Sequence, residues 1–401
     1  MSPRFNLDYE NCENYRQLTA CYNLPMQSQR VFFIRAFWPG GGLENVVTSV
    51  INLMKNDMGL EPLLVLGEEP KAQVPDCQVI VLGMDKITDL PLKGHPINIM
   101  RYLSRRVRYV QELKRQLKPK KGDIIVTLDP EMAGILKGLF SNVPVATWIH
   151  GSLSAFWSKS GLWPFVMTGF KRCDAIIVLS ERMLEEVTRL YPEATGKTFV
   201  IHNPIDLKAI PGVYNASNPR CVYVGRIKNS EKRLDRLLKA FEHFSRQHRG
   251  WRLTLVGDGE DRAFIQSVVE QLGLDECVDI SGWKSDPWRY ISDTGGASFL
   301  ALTSDHEGFP MALCEAAANG LPVVALDCPV GPSAIVLDGV NGVLVPFGTT
   351  EDETVQRLVD AFSAIACGRL VFDEVTVRNS INRYMPDVVK KEWEEFLRSM
   401  E

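Results

Sequence analysis

No stretch of this 401-residue chain has the ~20 consecutive uncharged apolar residues that a membrane-spanning helix needs. The opening segment, MSPRFNLDYENCENYRQ, has no apolar run that reads as a secretion signal. An excess of positive charge is also missing. The 45 Lys and Arg stand against 49 Asp and Glu, and the net charge of −4 argues against a dedicated nucleic-acid binder. The nine cysteines form no CxxC pair and no Cys/His cluster, which points to buried free thiols in a reducing compartment rather than to disulfides or a zinc site. Repeats and low-complexity tracts are absent. So is the GxGxxG fingerprint, which weakens a nicotinamide-cofactor reading. A cytoplasmic protein is expected, free to touch a membrane surface.

What is present is a repeated alternation. Short β-branched runs alternate with helical patterns, the mark of parallel α/β sheets. In the first half the runs are 31–37, 62–67, 78–83, 123–128, 145–150 and 175–180. In the second they are 220–226, 252–258, 277–282, 297–303, 322–326 and 342–346. Most are continuously apolar, as strands buried on both faces must be. A chain of this length exceeds one ordinary core. Two Rossmann-like units are therefore predicted, over 30–205 and 206–384, with the seam in the Pro- and Asn-rich segment 202–220. Residues 1–29 read as an extension, and 385–401 as a final helix. Two such units face each other across a cleft, and ligands bind beyond the carboxyl ends of the strands.

Four constellations follow strands. In WPGGGLE, Gly40, Gly41 and Gly42 feed a helix N-terminus, where free backbone N–H groups suit an anion. In GRIKNSEKRLDRLLKAF, Arg226 and Lys232 are two cations placed to neutralise a departing diphosphate; the alternative is a solvated basic loop, since Lys228 and Arg233 lie beside them. In HEGFPMALCEAAANG, Glu307 sits in a loop, Pro310 at the first turn of a helix and Glu315 on that helix. The amides from Phe309 to Ala312 form its positive end, which favours phosphate. The two carboxylates are then expected to accept hydrogen bonds from sugar or ribose hydroxyls; the alternatives are a helix-entry carboxylate for Glu307 and a solvated face for Glu315. Finally, His150 and Gly151 end a first-half strand and face the cleft, a structural histidine being the alternative, with Asp129 and Glu131 as weaker candidates of the same kind. VGDGEDR (256–262) reads as a strand-end loop rather than a metal cluster.

In this order and spacing, the set resembles the retaining GT-B glycosyltransferases of the GT4-like family. The most specific elements are the E-x7-E pair Glu307 and Glu315, the GFP after Glu307, and the Arg226/Lys232 pair; GGGLE, His150-Gly151 and HNPID (202–206) agree. The resemblance runs from about residue 30 to the end, although this first strand starts later than in most relatives. It implies an α/β GT-B fold whose last helix crosses back onto the first domain. It implies a nucleotide-sugar donor on the second domain and an acceptor on the first. Glu307 would contact the donor sugar and Glu315 the ribose. Arg226 and Lys232 would hold the diphosphate, with Gly41, Gly42 and the backbone of Gly308, Phe309, Pro310 and Met311. His150 would lie beside the reacting centre, and the backbone of Ser281, Gly282 and Trp283 would hold the base. With no DxD motif in place, no metal is expected, nor any cofactor beyond the donor. The donor is expected to be a UDP-sugar carrying a hexose or N-acetylhexosamine. Retention fits this set, because the leaving phosphate can itself take the acceptor proton.

Two first-half segments bear on the acceptor. The segment 101–121 is basic, with Arg101, Arg105, Arg108 and Arg115 at helical spacing, and can dock on anionic lipid; a solvated face is the alternative. The segment 154–172 mixes Trp157, Trp163, Phe165 and Phe170 with Lys159, Lys171 and Arg172, which suits an interface, a sugar platform or a core helix. A lipid-linked or lipopolysaccharide glycan acceptor is expected, at the inner face of the cytoplasmic membrane. CPVGPSAIVLDGVNGVLVP (328–346) resembles segments of bacterial cell-surface glycan hexosyltransferases. The competing readings are a GT-B nucleotide-sugar epimerase, a soluble-disaccharide synthase and a non-catalytic sugar-binding scaffold.

Overall fold

The computed structural model describes residues 29–84, 96–154, 162–206 and 208–401, with the side chains of 96–104 and 106 outside the description. Trp157, Lys159, the Arg101 side chain and residues 1–28 of the expected extension therefore lie outside the description.

The apolar runs form two sheets. The first holds β1 (Arg30–Arg35), β2 (Glu61–Leu66), β3 (Gln78–Val81), β4 (Ile124–Thr127), β5 (Val145–Trp148), β6 (Ala175–Val178) and β7 (Thr198–Val200). Their order is β3-β2-β1-β4-β5-β6-β7. The second holds β8 (Arg220–Val224), β9 (Arg252–Val256), β10 (Val278–Gly282), β11 (Phe299–Leu302), β12 (Val323–Leu326) and β13 (Gly342–Val345), in the order β10-β9-β8-β11-β12-β13. Every strand pairing is parallel.

Burial explains the composition. The inner strands β4, β5, β6, β11 and β12 are buried at every position, because helices cover both faces. The edge strands β3 and β7 are only partly covered. β7 was not anticipated. At three residues, TFV is too short to stand out as an apolar run, and only its pairing with β6 makes it a strand.

In each sheet the chain winds outward, then returns to the other side of its first strand. That puts the switch points between β1 and β4 and between β8 and β11. The loops after these strands carry the candidate residues. The last helix, Pro386–Ser399, leaves the second sheet and packs on the first: the Trp393 ring lies 5.1 Å from that of Trp148, and Phe396 lies 5.2 Å from Phe199. Arg182, which follows β6, forms a two-armed ion pair with Asp327, which follows β12, at 2.5 and 3.2 Å. Among the described residues, no helix is long and apolar enough to cross a membrane, and all seven cysteines are free.

Candidate active site

On the first-sheet side, β1 ends at Arg35 and the glycine turn leads into the helix Gly42–Asp57. Gly40 needs its hydrogen: φ is +89°, and a Cβ there would lie 2.7 Å from that of Ala72. Gly42 has open space where a Cβ would stand. The first-turn amides of this helix have no acceptor within it. Glu44, in the same turn, is buried and pairs with the buried Arg35 at 2.8 Å.

His150 follows β5, with its ring centroid 4.3 Å from that of Trp148. Its Nε2 is buried without a hydrogen-bond partner. Burial, and then the charge of Arg35, push its pKa well below the ordinary histidine value, so the ring is neutral. The turn after it is held by the buried Glu186 carboxylate, which accepts from Ser152 Oγ at 2.8 Å, Leu153 N at 2.8 Å and Ser154 N at 3.0 Å.

On the second-sheet side, β8 runs into Gly225 and Arg226. Tyr223, buried in β8, donates its hydroxyl to the Arg226 carbonyl at 2.8 Å. The Arg226 side chain is exposed and makes no ion pair among the described residues. Lys232 closes the short helix Asn229–Lys232, and its Nζ lies 2.7 Å from Glu307 Oε1. Ser304 Oγ donates to the same oxygen at 2.6 Å. The solvated-loop alternative fails for Lys232 and Arg233, while Arg226 stays exposed. Arg233, in the left-handed conformation at φ 49°, bonds Asp235, Asp305 and Glu351, and the buried Arg236 bonds the last two. This network locks the Lys232 turn to the loop before Glu307.

The third element is the helix Met311–Ala318. Pro310 is its cap rather than its first turn, and has no N–H to donate. The free amides of its N-terminus are those of Met311 and Ala312. The Phe309 side chain packs edge-on against Tyr384 with ring centroids 5.2 Å apart, so it anchors the loop. At Gly308, a Cβ would stand 1.8 Å from the His150 carbonyl oxygen, so the two halves of the site meet backbone to backbone. Glu315 accepts from Trp288 Nε1 at 3.0 Å, and burial raises its pKa above the usual carboxylate range. Gly282 takes φ +76°, and Trp283 beside it is 71% exposed.

These elements enclose a cavity of about 840 Å³. Gly41, Gly42, His150, Arg226, Lys232, Trp283, Glu307, Phe309, Pro310 and Met311 border it. Gly282, Gly308 and Glu315 are not among the residues that border it. Asp129 and Glu131 also lie off the cavity, and Asp129 accepts from Ala36 N at 2.7 Å. Of VGDGEDR, Asp258 reaches the cavity and Asp261 holds Asn229 N at 2.7 Å.

The four carboxylates that border the cavity are all ion-paired: Glu44 with Arg35 at 2.8 Å, Glu231 with Lys228 at 2.5 Å, Asp258 with Arg262 at 3.8 Å and Glu307 with Lys232 at 2.7 Å. Among the described residues, no group of three His, Cys, Asp or Glu side chains is placed to hold a metal ion. Arg35, Glu44, Ser304 and Trp288 were not anticipated. Arg35 gave one signal, a charge at the end of an otherwise apolar run; the other three acquire meaning only from their partners.

Comparison with known proteins agrees with this architecture. The family model described as Glycosyltransferase Family 4 matches residues 40–209, and that described as Glycosyl transferases group 1 matches residues 212–363. The chain is 26% identical over 361 residues to a lipopolysaccharide 1,6-galactosyltransferase of Salmonella typhimurium, covering 86% of this chain and 91% of that protein. It is 30% identical over 259 residues to the Escherichia coli protein of the same name, covering 61% of this chain and 67% of that one. Among solved structures, the lipopolysaccharide outer core galactosyltransferase WaaB in its apo form superposes with a TM-score of 0.75 at 22% identity, over 92% of this chain and 99% of that one. A pneumococcal O-GlcNAc transferase, GtfA, solved with UDP and GlcNAc, superposes with a TM-score of 0.74 at 13% identity, over 93% and 99%.

Proposed function

Because the chain belongs to the GT-B glycosyltransferases of the bacterial lipopolysaccharide and cell-surface glycan type, we propose that it transfers a hexose or N-acetylhexosamine from a UDP-sugar to a lipopolysaccharide or other lipid-linked glycan, with retention at the anomeric carbon. The observation that carries this reading is the pairing of every carboxylate around the cavity. An inverting transferase needs a free general base opposite the leaving group. Here each carboxylate that borders the cavity has a cation, burial makes His150 a weaker base than an ordinary histidine, and the positive groups left without an ion pair among the described residues are Arg226, Lys284 and the amides of Met311 and Ala312.

That distribution suits a reaction whose charge develops on a departing diphosphate. Arg226, Lys232 and the helix amides would bind its oxygens, each well-placed donor contributing about 3 kcal/mol to the transition state. The leaving phosphate oxygen then takes the proton of the attacking hydroxyl on the same face, and no protein base is needed. Glu307, held by Lys232 and Ser304, would present its second oxygen to a donor-sugar hydroxyl. Neutral His150 would offer Nε2 at the same place without opposing charge. Glu315, with one oxygen taken by Trp288, would turn the other to the ribose. UDP is supported by its presence in the structural neighbour solved with UDP and GlcNAc. The glycan acceptor is supported by the names of the galactosyltransferase relatives.

The test is hydrolysis of UDP-, GDP- and ADP-sugars without acceptor, followed by proton NMR of the transfer product. Turnover of a UDP-sugar and an α-linked product from an α-donor are expected. Turnover confined to a GDP-sugar overturns the donor assignment, and an inverted product overturns retention.

A further inference from the structure

Arg226 reaches the cavity from a turn, and a turn aims a side chain only as well as its own backbone is held. The residues on either side of it are held firmly. Gly225 N donates to the Val256 carbonyl at 3.0 Å, and Ile227 N to the Asp258 carbonyl at 2.9 Å. The turn after β9 lies so close that a Cβ on Gly257 would stand 1.8 Å from the Gly225 carbonyl oxygen, and one on Gly259 2.3 Å from that of Ile227. Between these two clamps, the Arg226 carbonyl accepts from Tyr223 Oη at 2.8 Å and from Lys228 N at 3.1 Å.

Tyr223 is buried in β8 and borders the cavity. A carbonyl has no proton to give, so the phenol is the donor. It keeps that proton: burial first, then the charges of Glu307 and Glu231, hold its pKa well above the ordinary tyrosine value. Gly225 makes the approach possible, since a Cβ there would lie 2.8 Å from the Tyr223 oxygen and 3.1 Å from Cζ. Packing alone would be served by a phenylalanine. Among the described residues, the hydroxyl makes one hydrogen bond, and it is to the peptide that follows Arg226.

The consequence is directional. The close packing of the Gly225 carbonyl on Gly257 fixes the peptide plane before Arg226, and the two bonds to the Arg226 carbonyl fix the plane after it. The Cα–Cβ bond then leaves in a set direction. The guanidinium is exposed and makes no ion pair among the described residues, so no partner at its far end corrects an error at its root. We propose that Tyr223 is a positioning residue, whose hydroxyl sets the Arg226 turn so that the guanidinium meets the diphosphate as it departs. This rests on the diphosphate reading of Arg226 above.

The test is a double-mutant cycle on the full chain: wild type, Tyr223→Phe, Arg226→Ala and the two together. The readout is hydrolysis of the nucleotide sugar that the wild type turns over fastest. Tyr223→Phe keeps the ring and leaves the Arg226 carbonyl with Lys228 N. Its kcat is expected to fall about tenfold, with KM within about threefold of wild type, because the donor is misaimed rather than lost. In the Arg226→Ala background the same change is expected to cost less than about twofold, since a hydroxyl that acts through a guanidinium has nothing left to act on. Equal losses in the two backgrounds overturn the proposal, because the hydroxyl would then serve the ligand or the fold by itself. So does a Tyr223→Phe enzyme with wild-type kcat. Gly225→Ala, whose Cβ must push the hydroxyl off the carbonyl, covers the case in which the Phe variant does not fold. Its loss is expected to shrink in the same way without Arg226, and a loss of full size there overturns the proposal. Wild-type turnover by Arg226→Ala alone overturns instead the diphosphate reading beneath it, and failure of the wild type to turn over any UDP-, GDP- or ADP-sugar overturns the donor reading.

Discussion

At Lys232 and His150, charge and its absence are placed with opposite intent. Lys232 is held 2.7 Å from Glu307, so its ammonium is positioned before any ligand arrives. Replacing it with Ala removes one of the proposed diphosphate donors and leaves Glu307 with Ser304 alone. Steady-state kinetics are expected to show kcat lower by on the order of 10²–10³-fold, as for loss of one preorganised donor, with the fold intact by circular dichroism. His150 is kept neutral by burial and by Arg35, and that has a consequence for stability. Its native pKa lies below the unfolded value of 6.5, so the unfolded chain binds a proton that the native chain refuses. The native state is therefore undisturbed above that value and loses stability as pH falls below it, by up to about 1.4 kcal/mol per pH unit, until the native pKa is reached. Thermal unfolding between pH 7 and pH 5 is expected to show a steeper loss for wild type than for His150→Gln.

Two turns have to meet at the scale of elements. The His150 turn, clamped by Glu186, comes from the first sheet, and the Gly308 turn, tied through Arg233 and Arg236, comes from the second. Their contact admits no side chain, since a Cβ on Gly308 would overlap the His150 carbonyl. Gly308→Ala must push these backbones apart by a large fraction of an ångström or more. Misplacement on that scale costs on the order of 10²-fold in rate, which kcat/KM for donor hydrolysis would report. Gly196→Ala is the control, with nothing near its Cβ and no positive φ, and is expected to behave as wild type. The sequence made the GFP turn, the helix after it and the strand before it legible, because each follows from local pattern. It did not reveal that Gly308 serves a contact 158 residues away in the chain, nor that Phe309 spends its side chain on Tyr384.

For the whole molecule, the proposed lipid-linked acceptor raises the question of contact with a membrane surface. The helix Pro96–Gln116 turns Tyr109 and Leu113 into the first core, with Leu117 just beyond its end, while Arg108, Lys114 and Arg115 are exposed; Lys118, Lys120 and Lys121 extend the basic face. The helix Trp163–Arg172 buries Val166 and Phe170 and leaves Phe165, Lys171 and Arg172 outward. A basic outer face on the first domain, the proposed acceptor side, suits an anionic bilayer, each cation near the surface contributing about 1 kcal/mol at low ionic strength. Co-sedimentation with vesicles containing phosphatidylglycerol at low salt is the expected outcome. Release by salt is expected as well, with weaker binding when Lys118, Lys120 and Lys121 are changed to Gln. No binding to such vesicles would remove the membrane from the proposal.

The amino-acid sequence by itself determined the alternation of strands and helices, the two parallel sheets and the placing of Arg226, Lys232, Glu307 and His150 after strands. Those features depend on local periodicity and on turn chemistry between neighbours in the chain. Tertiary structure alone decided that β7 is a strand, that Pro310 is a cap without a donor, and that Glu315 accepts a hydrogen bond from Trp288. It alone decided which acids around the cavity are neutralised. Pairing and burial are relations between residues far apart in sequence, and no local pattern encodes a distance.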